Sequence, residues 1–400
     1  MIQGRITLLV VVLAIVFMWD LQFVFAQTIE ERLQKVEQEI EQKKEEDKKG
    51  SSLGDKLSFY GYGELHYNNP VVEGSGFPAG NLPPTFDFHR LVLGWSFAFT
   101  DRLSLHTEVE WEHAGGEIEL EYAYLEYEIN DAFHLRAGSL LMPMGPLNEF
   151  HEPTNFYSVE RPYTQKYIIP TTWQAGGLGL AGQALGGLNY RLYFVEGLDA
   201  TLFTPNGINE SQSILSEDVN KAFNFGGIGR LEYTGFPGVA VGTSFYSAGA
   251  AQGDPNISHS QVTMWDADLR YRLAGFDFTG VYVHTWISNA DSISAVVGET
   301  IGSQMIGWYL EGAYHLGQLM NMSLDSVPLD FVPFVRWEDI NTQAGISAAN
   351  RTPGTDRQVL VTGLAFYPHP DVALKVDWER WQDDTNDTAA RYNIGMAFTF

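Results

Sequence analysis

The last ten residues constrain the fold more than any other part of the chain. In Arg391-Tyr392-Asn393-Ile394-Gly395-Met396-Ala397-Phe398-Thr399-Phe400, the residues Tyr392, Ile394, Met396, Phe398 and Phe400 share one parity. Arg391, Asn393, Gly395, Ala397 and Thr399 share the other. Side chains alternate across a strand, so one face is apolar and the other small or polar. An apolar face turned out and a polar face turned in is the pattern of a strand that crosses a bilayer within a barrel.

The same theme repeats from Leu57 onward. Sixteen alternating segments are separated by turn residues: 57–68, 86–99, 102–113, 117–129, 133–142, 173–184, 187–197, 223–234, 238–249, 261–273, 275–288, 303–316, 328–339, 356–367, 370–382 and 389–400. Their connections alternate in length. Thr100-Asp101, Asn130-Asp131, Gly186-Gly187, Phe236-Pro237, Ala274-Gly275 and His369 mark tight turns. The stretches 69–85, 143–172, 198–222, 250–260, 289–302 and 340–355 are long. Two connections depart from the rule: 114–116 is short for an outer loop, and 317–327 is long for a turn. The expected fold is an all-β membrane protein, a 16-stranded antiparallel transmembrane barrel over 53–400. An even strand count leaves both barrel ends on one side of the membrane.

Composition fits this reading. The hydrophobic fraction is 44% with 14% aromatics and 40 glycines, and mean hydropathy is −0.14. Alternation halves apparent hydrophobicity, and aromatics supply the interfacial girdles. There is no cysteine, which excludes both disulfides and a lipid-bearing N-terminal cysteine.

The N-terminal region is a separate element. Arg5 precedes an apolar run from Ile6 to Phe17, and Val24-Phe25-Ala26 fits a cleavage site. Residues 1–26 are therefore expected to be a signal peptide, with an uncleaved anchor as the alternative. Within 27–52, Ile29, Leu33, Val36 and Ile40 are spaced as the seam of a short helical coiled coil. A periplasmic coil, trimeric or a solvated spacer, would then lead through Gly50-Ser51-Ser52 into the barrel.

The terminal Phe400 resembles the closing residue of bacterial outer-membrane barrels, where it is the usual assembly signal. That resemblance implies outer-membrane lipid and the barrel assembly machinery as partners. A more specific likeness lies over about residues 85–185. Asp87-Phe88-His89-Arg90-Leu91, Ala123-Tyr124-Leu125-Glu126-Tyr127 and Leu135-Arg136-Ala137-Gly138-Ser139 resemble the phosphate-selective porin (O and P) family. So do Pro143-Met144-Gly145, Asn148-Glu149, His151-Glu152-Pro153, Arg161-Pro162 and Ile168-Ile169-Pro170-Thr171-Thr172-Trp173. The family implies a homotrimeric, 16-stranded porin passing small anionic or general solutes. Its phosphate-specific members carry dense Arg and Lys along the channel.

This chain departs from that pattern. The net charge is −26, and residues 57–400 hold 40 acids against 16 bases, a charge of −24. Clustered bases for nucleic acid are lacking, so no nucleic-acid partner is expected. Acids in the lumen would concentrate cations; placed in outer loops they would not.

Strand phase assigns the lumen. Over 102–113, Leu103, Leu105, Val109 and Trp111 point out, and His106, Glu108, Glu110 and Glu112 point in. Over 261–273, Asp266, Asp268, Arg270 and Arg272 point in. The same phase puts Arg90, Arg136, Arg191, Arg230, Glu232, Lys375, Asp377 and Glu379 inside. Segment 117–129 conflicts, because Glu117, Glu119 and Glu121 share parity with Ala123, Leu125, Tyr127 and Ile129. Either those glutamates stand above the membrane or a bulge reverses the phase.

Thirty residues without alternation, 143–172, are expected to fold inward and narrow the channel. Glu149, His151, Glu152, Glu160, Arg161 and Lys166 are its charged or titratable candidates. Arg90, Arg136, Arg191 and Arg230 would face this acidic loop, either orienting solutes or pairing with acids to hold loop and wall together. The expected function is passive diffusion of small hydrophilic solutes and ions across the outer membrane. A phosphate or anion channel, and a barrel anchoring the membrane through its coil, are the alternatives. No Gly-x-Ser-x-Gly or compact catalytic order points to an enzyme. No cofactor is expected. His106, Glu108, Glu110, Glu112 and His113 do not converge as a zinc set on an extended strand, because His113 points opposite to the rest.

Overall fold

The computed structural model describes residues 53–72, 83–184, 186–208, 222–320, 322–324, 326–346 and 350–400. The expected signal peptide (1–26) and coil (27–52) lie outside the described residues.

Sixteen antiparallel strands close into one barrel. In chain order they are β1 (Leu57–Val72), β2 (Thr85–Ala98), β3 (Leu103–Glu112), β4 (Glu117–Asn130), β5 (Phe133–Leu141) and β6 (Gln174–Ala184), then β7 (Leu188–Glu196), β8 (Phe225–Phe236), β9 (Val239–Gly249), β10 (Gln261–Leu273), β11 (Phe276–Ile287) and β12 (Gln304–Tyr314). A small ribbon, β13 (Ser323–Leu324) with β14 (Val327–Pro328), occupies the unusually long turn. The barrel resumes with β15 (Asp330–Asn341), β16 (Asp356–His369), β17 (Val372–Asp383) and β18 (Thr388–Thr399). All sixteen expected segments are strands, with ends shifted by a few residues.

Closure is by β1 on β18, in register from Tyr62 opposite Thr399 to Asn69 opposite Tyr392. Gly61 and Phe400 exchange backbone hydrogen bonds of 2.9 Å each. A closed barrel leaves no unpaired strand edge in the bilayer, where each unmet backbone group would be costly.

Tight turns sit at one end. Leu273 pairs with Phe276 across Ala274 and Gly275, whose φ angles are 51° and 86°. Two left-handed central residues make the primed turn whose twist matches the flanking strands.

The outer face is apolar around the ring. Leu125, Leu135, Leu178, Leu192, Leu231, Phe245, Trp265, Leu310, Val335, Trp337, Val376 and Ile394 are all exposed. An apolar belt this extensive fits lipid and not water. Phe133, Phe236, Phe276 and Phe400 are exposed near the tight-turn end, where aromatics meet the interface.

The conflict in β4 resolves as a bulge. The register with β3 shifts between Glu108, opposite Tyr122, and Val109, opposite Leu120. Glu121 is the extra residue, and it is buried inside the barrel. Ile118 and Leu120 before the bulge face out, as do Leu125, Tyr127 and Ile129 after it. The phase of the upstream glutamates is thus reversed, and Glu121 enters the lumen.

One part of the interior departs from a polar lining. Toward the long-connection end, Tyr246, Val262, Met264, Val283 and Met305 point inward and are buried. They pack in one cluster with Ile168, Ile169 and Trp173 and with Leu198, Phe203, Ile257 and Ile293 from other long connections. Each fully buried aliphatic contributes roughly 1.5–3 kcal/mol. This packing gives the interior connections a fixed seat.

Candidate functional site

The stretch between β5 and β6 lies inside the barrel. Its two ends are clamped by Asn148, whose amide donates to the carbonyls of Met142 and Trp173, both at 2.8 Å. The same side chain accepts from the Trp173 N–H at 2.7 Å. One side chain therefore closes the base of the loop.

From that base the loop is tied around the wall. Gly145 N–H donates to Asp266 on β10 at 3.0 Å. Glu149 pairs with Arg191 on β7 at 2.9 Å. His151 meets the Tyr62 hydroxyl of β1 at 2.8 Å, and its carbonyl accepts from Arg90 of β2 at 3.0 Å. Tyr157 donates to Asp277 of β11 at 2.6 Å. Val159 N–H donates to Asp377 of β17 at 2.7 Å. Tyr163 and Thr164 N–H groups both donate to Glu338 of β15, at 3.1 and 2.9 Å. A loop taken off the surface must satisfy its backbone, and the inward carboxylates of the wall do this. Lys375 completes the pattern from the opposite polarity, donating to the Ser158 carbonyl at 2.9 Å.

Most wall residues expected from strand phase fall into two groups. On β1–β4, Arg90 pairs with Glu64 at 2.6 Å and lies 3.7 Å from Glu110 and 3.6 Å from Glu121. Glu108 accepts from Tyr122 at 2.8 Å, and His151 lies 3.2 Å from Glu121. His106 bonds Ser104 at 2.9 Å and stacks on Tyr124. On β5–β10, Arg136 pairs with Glu126 at 2.5 Å. Arg230 pairs with Asp268 at 2.7 Å and Glu232 at 2.9 Å, and is 3.6 Å from Asp266. Arg270 shares Glu232 at 3.2 Å.

The four arginines lie within one contiguous run of barrel strands, with Arg191 directly opposite Arg230. They are spread over β2, β5, β7 and β8, and among the described residues only Arg191 pairs with a loop carboxylate. The others are held mainly by acids of neighbouring strands, because adjacent inward positions place opposite charges within reach.

The remaining loop residues have distinct settings. Glu152 accepts from Asn155 within the loop at 2.7 Å. Glu160 accepts from Asn68 at 2.8 Å and lies 3.7 Å from both Arg391 and His66. Burial opposes its charge, but Arg391, Lys166 and His66 outweigh this and hold its carboxyl below the usual carboxylate range. Glu149 goes the other way: burial lifts its carboxyl even beside Arg191. Arg161 reaches Thr172 at 3.4 Å, and burial lowers its basicity.

Cavities flank the loop. One of about 280 Å³ opens toward the long connections and is lined by His66, His89, His113, Glu160, Lys166 and Arg391. Two of about 250 Å³ each lie toward the tight turns and share Phe150 of the loop. The first of these is bordered by Arg270, Asp277 and Glu311, the second by Glu108, Arg136 and Arg191.

Sequence reasoning did not single out Arg336, Glu338 or Glu311. Arg336 bonds Glu338 at 2.7 Å, Glu311 at 3.1 Å and the loop's Ser158 at 2.6 Å. The alternation of Phe334, Arg336 and Glu338 against Val335 and Trp337 carried that signal.

The strand order and the internal loop define a closed 16-stranded antiparallel barrel, and solved porins share this fold. The barrel is similar to OmpF of Salmonella typhi, solved in complex with daunomycin (13% identity, TM-score 0.56, covering 86% of this chain and 97% of that one). It is similar to the outer-membrane channel DcaP of Acinetobacter baumannii (11%, TM-score 0.56, covering 86% and 97%). The anion-selective porin from Comamonas acidovorans gives 11% and a TM-score of 0.54, covering 86% and 99%. At these identities the likeness is one of fold. No family model matches the chain. The chain belongs to one family with an uncharacterized protein of Aquifex aeolicus (strain VF5), 31% identical over 379 residues, covering 88% of this chain and 80% of that protein.

Proposed function

We propose that this protein is an outer-membrane channel for passive diffusion of small hydrophilic solutes and ions, narrowed by the loop 143–172. The observation that carries the reading is the seat of that loop: it lies within the lumen and is bonded to the Tyr62 hydroxyl on β1 and to inward charges on β2, β7, β10, β11, β15 and β17. A water-filled route past fixed charges suits polar solutes and disfavours lipophilic ones. The excess of acids over bases supports a preference for cations. The wall arginines are paired with carboxylates, which leaves little free positive charge for an anion.

The resemblance to phosphate-selective porins supplies a second reading, an anion or phosphate channel. Arg161 and Lys166 of the loop favour it, having no carboxylate within ion-pair distance among the described residues. Assembly as a homotrimer, a periplasmic coil at 27–52 and recognition of Phe400 by the barrel assembly machinery belong to the same proposal. Single-channel recording tests it. Stepwise ohmic currents with cation preference are expected, phosphate block with anion preference would favour the second reading, and silence would favour a membrane anchor.

A further inference from the structure

We propose that the cavity at the long-connection end holds a divalent transition-metal site formed by Asp87, His89 and His113. Asp87 and His89 stand two apart on β2 and line the same cavity as His66 and Glu160. His113 comes from the turn after β3. Its φ is 49° and that of Ala114 is 58°. This left-handed turn swings the His113 ring back over β2, where an extended strand would aim it away.

The donor atoms converge. Nδ1 of His113 lies 2.9 Å from Asp87 Oδ2, and Nδ1 of His89 lies 3.2 Å from the same oxygen. One donor atom from each of the three residues lies within 4.8 Å of the others. A tetrahedral zinc with bonds near 2.0–2.1 Å needs donor separations of about 3.3 Å. Little rearrangement is therefore required for an ion to replace the shared protons. Two imidazoles and one carboxylate form a donor set suited to zinc or nickel, with the remaining coordination positions open to water.

The surroundings fit a site that can fill from solution. Side-chain exposures of 29%, 35% and 51% for Asp87, His89 and His113 leave an entry path. Behind the donors, His66 stacks on His89 with ring centres 4.6 Å apart and is itself held by Glu64 at 2.9 Å. Glu112 lies 4.0 Å from Nε2 of His113.

The test is calorimetric titration of the full-length, detergent-solubilised barrel with zinc chloride and, separately, nickel chloride. One saturable ion per chain is expected. Binding should weaken at least tenfold in His89→Ala and in His113→Ala, and stay unchanged in His369→Ala at the opposite end. Retained heat-modifiable migration on gels shows that each variant is folded. Asp87→Asn, the mildest change, should weaken binding as well. Absence of a saturable ion, or unchanged binding in both histidine variants, would overturn the site. This readout needs no current, so a silent channel would not bear on it.

Discussion

Glu149 on the internal loop and Arg191 on β7 meet at 2.9 Å, the one place where a carboxylate of the loop is held by one of the four wall arginines expected from strand phase. Both side chains are largely buried, so removing either leaves the other without its counter-charge. Breaking a buried pair costs on the order of 3 kcal/mol. Arg191→Glu should loosen the loop, raise single-channel noise and shift reversal potential toward cations. Unchanged current and selectivity would remove this pair from the pathway.

The clamp at Asn148 gives a second expectation. Asn148→Ala orphans the buried Trp173 N–H, at a cost on the order of 1–3 kcal/mol, and leaves the Met142 and Trp173 carbonyls with only the backbone N–H groups of Met144 and Met142. The loop should then become cleavable by trypsin after Lys166 while the barrel stays intact. Equal resistance in variant and parent would show that the base of the loop is held by other contacts.

Acid should release the loop at Glu160. Its carboxyl is held below the unfolded value by Arg391, Lys166 and His66 against the effect of burial. A depressed carboxylate contributes stability that is full above the unfolded pKa and lost as pH falls through the folded one. Pepsin cleavage of the loop, at residues such as Phe150, Phe156 or Tyr157, should therefore rise below the ordinary carboxylate range. Glu160→Gln should lack that acid step. A step that persists in the variant would assign it to another group.

The outward face makes a stability claim. Leu310 is an exposed residue in the middle of β12. Leu310→Arg should cost about 2–4 kcal/mol in folding into lipid vesicles, as for a basic residue at mid-bilayer. The measurement is equilibrium unfolding of the vesicle-inserted barrel in guanidinium. No loss would mean that this face meets protein or water.

The strands were legible because a period of two survives over most of each segment from Leu57 to Phe400. The inward charges were legible for the same reason: Arg90, Asp266 and Lys375 follow from parity alone. Two kinds of detail were not. Backbone irregularities change where a side chain points, so the bulge at Glu121 stayed one of two options and the left-handed turn at His113 was unseen. Inward apolar residues such as Val262, Met264 and Val283 give no contrast with their outward neighbours, so the interior core they build was hidden. The partners of the wall charges were hidden too. Parity places Asp266 and Asp377 in the lumen but does not say that they accept backbone N–H groups of the loop.

The most direct test of the channel reading is reversal potential across a planar bilayer holding the purified protein under a salt gradient, with and without added phosphate. Stepwise ohmic conductance with cation preference, unaffected by phosphate, is the expected result. No conductance at all would contradict the channel, and anion preference with phosphate block would contradict the dominance of its acidic charge.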